Sequence, residues 1–166
     1  MRTIPDLFTI RPATFSDAPA IFAALKAYPD RLVPRPVSDI LLNTDRFLVA
    51  EKGGELVGTV AWSILPELEG GNPSFELQSL SVRADCCRMG LGKRLAEAAI
   101  ARIRPYQPKE IIVLTFSPEF FGRLGFKPAD KRRLVYKLYH GCAHCVKYDS
   151  PFTCPELAMT LDLAGA

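Results

Sequence analysis

The stretch FELQSLSVRADCCRMGLGKRLAEAAI, Phe75 to Ile100, joins three kinds of local pattern. Phe75–Val82 reads as a strand, with Glu76, Gln78, Leu80 and Val82 on one face because strand side chains alternate. A loop follows with two adjacent cysteines and a G-x-G spacing at Gly90 and Gly92. From Gly90 to Ile103 the chain reads as a helix whose buried stripe is Leu91, Leu95, Ala98 and Ala99. Pro105 and Pro108 stop it.

Strand, glycine loop and helix in this order suit a bound phosphate. The first helical amides have no intrahelical acceptor, and the helix dipole favours an anion there. Gly90 and Gly92 let the backbone approach a ligand without a Cβ in the way. Arg88, Lys93 and Arg94 add positive charge. The spacing is neither G-x-x-x-x-G-K-[S/T] nor G-x-G-x-x-G, since Leu95 stands three residues after Gly92. On spacing alone, a tight turn with solvated basic residues explains the loop as well.

Working outward, Phe8–Ile10 reads as a short strand ended by Arg11-Pro12. Thr14 and Asp17 have capping-box spacing, and residues 17–28 form an amphipathic helix through Ala18, Ile21, Phe22 and Leu25. Ser38 caps a short helix at 39–43. Phe47–Glu51 and Leu56–Leu65 flank Gly53-Gly54 as a β-hairpin. Ile111–Phe116 reads as a buried strand, and Pro118–Leu124 as a short helix closed by Gly125. Leu134–Tyr139 and Ala158–Leu163 read as strands. The pattern predicts one α/β (α+β) domain over 1–166, a central twisted mixed β-sheet flanked by helices.

The 166 residues are 48% hydrophobic and 23% charged, with net charge +3 and pI near 8.6, which suits a phosphorylated small ligand as well as plain solubility. No dense basic stripe with interleaved aromatics argues for nucleic acid. No apolar run approaches a membrane span. The start of the chain lacks a secretory pattern, so a cytoplasmic protein with reduced cysteines is expected.

The strand 75–82, the loop CRMGLGKRL, the strand 111–116 and EFFGRLGF together resemble the GNAT superfamily of N-acetyltransferases. The resemblance implies that acetyl-CoA is the acyl donor, its pyrophosphate held by the amides of Cys87, Arg88, Met89, Gly90, Leu91, Gly92 and Lys93. It implies that the backbone of Leu80, Ser81 and Val82 holds the pantetheine arm and polarises the thioester, an oxyanion-hole role. Glu76 stands where members often carry a general base. Phe120-Phe121 occupies the aromatic position beside the cofactor, where members often carry an acidic tyrosine. Neither phenylalanine can donate a proton, which leaves water, Tyr139 or departure of a bare thiolate. Cys87 replaces the family's long polar side chain. Arg88 replaces a glycine, which a negative φ would tolerate.

Finer stretches, LVPRPVSDI, FELQSLSV, LTFSPEFFGRLGFKPADKRRL and the C-x-x-C tail, are similar to short bacterial N-acetylglutamate synthase-like enzymes of arginine biosynthesis. This implies an acidic amino acid as acceptor. A carboxylate needs cations, and Arg35 in a proline-stiffened loop offers a bidentate fork. Lys137 matches a lysine of that group. Gln78 departs from its arginine, at a cost of about 10- to 100-fold in affinity for glutamate. Another small amine, or a non-catalytic acyl-CoA-binding module, stays open. No feature argues against a homodimer. His140, Cys142, His144, Cys145 and Cys154 could ligate Zn²⁺, but the cysteines read first as semi-buried thiols, so no metal is assigned.

Overall fold

Gly53 and Gly54 turn the chain with φ of 59° and 82°, left-handed values that glycine adopts without strain. The expected hairpin forms on either side of them, β2 over Phe47–Lys52 and β3 over Glu55–Leu65. The computed structural model describes residues 6–67, 70–142 and 145–164, without the side chains of Val135, Tyr139 and His140. The other strands are β1 (Thr9–Pro12), β4 (Ser74–Val82), β5 (Ile111–Thr115), β6 (Lys127–Pro128) and β7 (Leu157–Leu161). The helices are α1 (Ala18–Lys26), α2 (Val37–Leu42), α3 (Leu91–Ile103), α4 (Pro118–Gly122) and α5 (Val135–His140). The strands make one seven-stranded sheet in the order β1-β2-β3-β4-β5-β7-β6. It is mixed: β4 and β5 run parallel, while β1/β2, β2/β3, β5/β7 and β6/β7 are antiparallel. This is the expected α/β class. Among the described residues, no helix is long and apolar enough to cross a membrane.

The chain divides into two compact units. One runs to Trp62 and includes Leu77–Arg102. In it, Ala18, Ile21 and Leu25 of α1 and Ile40 of α2 bury against Phe47, Val49 and Ala61. Helix α2 begins at Val37 behind Pro36, two residues earlier than Ser38 capping would give. Strand β1 continues through Arg11-Pro12, since it is the sheet's edge and a proline there forfeits no ladder bond. On α3 the buried residues are Leu91, Leu95, Ala96, Ala99, Ile100 and Ile103. Ala98 is only half-buried, which corrects the expected stripe. The helix seats hard on β3: a Cβ on Gly58 would lie 2.9 Å from Leu95 Cδ1 and 3.1 Å from the Ser81 carbonyl oxygen.

The other unit holds Ser63–Glu76 and the residues from Ile103 onward. Its core joins Leu65, Ile112, Leu134 and Ala158, with Leu114 and Tyr136 packed against them. Gly125 takes φ 91° after α4, as its position predicts. The expected strand at Leu134–Tyr139 is instead the helix α5. Short apolar runs do not separate the two by periodicity. Here burial of Leu134, and the bonds Leu138 N to Leu134 O (2.9 Å) and Gly141 N to Lys137 O (2.9 Å), decide for helix.

A second correction falls on β4. Ser79 has φ 55°, a left-handed residue inside the strand. Such a residue breaks the alternation, so Glu76, Gln78, Leu80 and Val82 do not form one uninterrupted face.

Arg11 ties β1 to the start of α1. Its guanidinium donates to both Asp17 carboxylate oxygens at 2.8 and 2.9 Å and also to Glu51. Those bonds hold the Asp17 carboxyl at about 2 against the opposing effect of burial, with Thr14 donors adding to them. A depressed carboxyl contributes stability above its unfolded value of about 4 and loses it as pH falls through about 2. Asp17→Asn should therefore cost about 1 kcal/mol near neutral pH. The difference from wild type should shrink below about pH 4, measured by urea unfolding at several pH values.

Candidate active site

The glycine loop is built as a turn of unusual backbone. A 3₁₀ turn at Ala84–Cys86 follows β4, and Cys86 is buried beneath it. Arg88 then takes φ 63° and Gly90 φ 79°. The negative φ that would make arginine tolerable in this glycine position is not adopted; Arg88 lies in the left-handed region, where glycine is favoured. The first helical bond runs from Arg94 N to Gly90 O at 3.1 Å. The amides of Leu91, Gly92 and Lys93 precede it and have no acceptor within the helix. Cys87, Arg88, Met89, Gly90 and Lys93 are exposed, and Leu91 is buried as the anchor. The charge around the loop is less than the sequence suggests. Arg94 is spent on Asp6 at 2.7 and 2.9 Å, and Lys93 lies 3.7 Å from Glu97.

Glu76 is 5% exposed, on the last β4 residue in the parallel ladder with β5, opposite Ile112. Its Oε1 lies 2.8 Å from Lys137 Nζ. Ser63 Oγ donates to Oε2 at 3.5 Å. Burial pushes the Lys137 ammonium down, but Glu76 outweighs it and, with Cys142 and Glu156, holds Lys137 above its usual value. Burial pushes up the carboxyl of Glu156 and the thiol of Cys142, both within the field of this pair. The Glu76 carboxyl is thus nearly dry, with Oε1 against Lys137 and only the long Ser63 contact on Oε2 among the described residues.

Arg35 does not stand loose in its loop. Its Nε donates to Asp39 at 2.6 Å, its Nη1 to Ser79 Oγ at 3.3 Å, and its guanidinium stacks 5.0 Å from the Phe47 ring centre. It thus holds the left-handed Ser79. Gln78, Leu80 and Val82 are half-buried on β4, and Ser81 is buried with its hydroxyl on Ala24 O at 3.2 Å. Phe121 is buried, edge-on to Phe120 at 5.0 Å and to Phe126 at 5.4 Å. Cys142, Cys145 and Cys154 are free thiols, half-buried, and Cys154 donates to Glu156 at 3.6 Å. His144 and the side chains of His140 and Tyr139 lie outside the described residues. Among the described residues, no cluster of three or more His, Cys, Asp or Glu could hold a metal ion.

Residues 6–126 match the acetyltransferase (GNAT) family. The chain belongs to that family. An uncharacterized N-acetyltransferase of Chlorobaculum tepidum is 29% identical over 156 residues, 93% of this chain and 96% of that one. The fold matches N-acetylglutamate synthase from Neisseria gonorrhoeae, complexed with coenzyme A and N-acetyl-glutamate, with TM-score 0.75 and 21% identity. That match covers 94% of this chain and 35% of the synthase, so this chain spans about a third of its length. It also matches Rv2747 from Mycobacterium tuberculosis, solved with CoA, with TM-score 0.76, 22% identity, and 93% and 99% coverage. This chain is thus an acetyl-CoA-dependent N-acetyltransferase of GNAT type.

Three features of the acetyltransferase escape a reading of its sequence. The Glu76–Lys137 pair needs α5, and the strand reading of 134–139 hides it. Ser79 gives no signal for a positive φ, being neither Gly nor Asn. Tyr28, whose hydroxyl donates to Val82 O at 2.8 Å, lies 54 residues from its acceptor. Removing one member of a buried ion pair strands the other. Lys137→Met should destabilise the acetyltransferase by about 3 kcal/mol in urea unfolding, and adding Glu76→Gln should restore part of that loss.

Proposed function

We propose that this acetyltransferase moves the acetyl group of acetyl-CoA to the α-amine of a small acidic amino acid, glutamate first. Residues 1–166 act as one acetyltransferase domain in this reading, with small molecules as its partners. The observation that carries it is the buried Glu76 held by Lys137 at 2.8 Å. Glu76 is the general base, taking the amine proton on Oε2, directly or through one water. The amine lone pair then attacks the thioester carbon. The C–S bond breaks from the tetrahedral intermediate, and the thiolate leaves without a proton from Phe121, which a thiol's acidity allows. Lys137 acts through Glu76, fixing Oε1.

The donor lies along β4 and the glycine loop. The amides from Cys87 to Lys93, with Met89 between the two left-handed residues, take the pyrophosphate. The backbone of Leu80, Ser81 and Val82 takes the pantetheine arm. Arg35 and Gln78 are the acceptor's polar contacts. Arg35 supports an acidic acceptor, because its Nη2 has no hydrogen-bond partner among the described residues and remains for a carboxylate. The likeness to a synthase solved with N-acetyl-glutamate supports the same class of acceptor; a cytoplasmic role in arginine biosynthesis goes with that reading.

The test is release of free CoA thiol from acetyl-CoA across a panel of amino acids. Turnover should be highest with glutamate, and Glu76→Gln should lower kcat/KM by about 100-fold or more. Turnover confined to other amines rejects the acceptor. Tight CoA binding with no thiol release for any amine identifies a binding module instead.

A further inference from the structure

The peptide between Val82 and Arg83 is where β4 ends and the glycine loop begins. Its N–H, on Arg83, donates to Val57 O of β3 at 2.8 Å. Its C=O, on Val82, accepts the Tyr28 hydroxyl at 2.8 Å. The Cys87 thiol also reaches that carbonyl, at 3.7 Å, and is shared with Arg83 O at 3.5 Å. A thiol is a weak donor, so the hydroxyl dominates. With both ends bonded, the peptide plane cannot rotate without losing a good hydrogen bond.

Tyr28 is itself rigid. It sits just past α1, its N bonded to Leu25 O at 3.3 Å and its O accepting from Arg31 and Leu32 at 3.1 and 3.0 Å. Burial pushes its hydroxyl pKa up, with Cys87 and Asp85 adding to it, so it stays a donor throughout the neutral range. Nearby, Ser81 Oγ donates to Ala24 O and Arg35 reaches Ser79. The end of α1 and the loop after it therefore grip β4 at residues 79, 81 and 82, and only the Tyr28 contact acts on the peptide that feeds the loop.

We propose that Tyr28 is a positioning residue for the acyl donor: its hydroxyl fixes the peptide at which β4 turns into the glycine loop, and so sets the aim of the amides after it. This rests on the reading that β4 and the loop bind acetyl-CoA.

Tyr28→Phe keeps the ring and removes only the donor. Calorimetry with CoA and steady-state kinetics with acetyl-CoA read the effect. The Kd for CoA and the KM for acetyl-CoA should each rise about 3- to 10-fold. The kcat and the KM for the amine should stay within about twofold, which a general loosening of the fold would not produce. An unchanged CoA Kd overturns the role of Tyr28, even if the unfolding midpoint falls. An equal rise in the amine KM overturns it as well. Wild-type protein that binds no CoA overturns the donor reading and the proposal with it, so the two failures are distinct.

Discussion

A buried carboxylate must be answered by a cation, and in this protein Lys137 answers Glu76. Glu76 is nearly dry at the end of the short parallel ladder between β4 and β5. Leaving it unpaired there would cost several kcal/mol, about as much as a small domain can lose. The demand explains why 134–140 folds as it does. As a helix, α5 brings Lys137 to Glu76 while Leu134 enters the core with Leu65, Ile112 and Ala158. The polar and apolar requirements of that segment agree, and the sequence-level preference of its aromatic and β-branched residues for strand gives way.

The loop is governed by a different constraint. Helix α3 is pinned from one side, because Gly58 leaves room for Leu95 and nothing more. Its free amides therefore face a fixed place. The backbone ahead of them is tight enough to put both Arg88 and Gly90 at positive φ. For arginine this is strain of order 1 kcal/mol, held by the loop's anchors at Cys86 and Leu91. Basic side chains contribute less than their number suggests, since Arg94 is bound to Asp6. In the proposed reading, the loop holds its anion mainly through backbone dipoles.

Much of this was legible in the chain itself. The Gly53-Gly54 hairpin, the α1 periodicity, the glycine loop and its helix, and the buried run at 111–115 follow from local rules, and so does the mixed sheet with helices. What was not legible has a common cause: it depends on partners distant in sequence. The left-handed Ser79 is held by Arg35, 44 residues away. Arg88 adopts a glycine-like φ because its neighbours are fixed. The two residues of β6 are too short to carry a pattern, and α5 is a helix because of what Leu134 and Lys137 meet. Of the residues read as binding the acceptor, Lys137 is the one whose surroundings most change its meaning, from a loose cation to a group engaged with a carboxylate.

That change of meaning is open to one direct measurement, a double-mutant cycle in kcat/KM for acetyl transfer using Glu76→Gln, Lys137→Met and the pair. If Lys137 acts by holding Glu76, the double variant is no slower than Glu76→Gln alone within about twofold, because the lysine has nothing left to position. Losses that multiply would contradict the account and put Lys137 on the substrate itself.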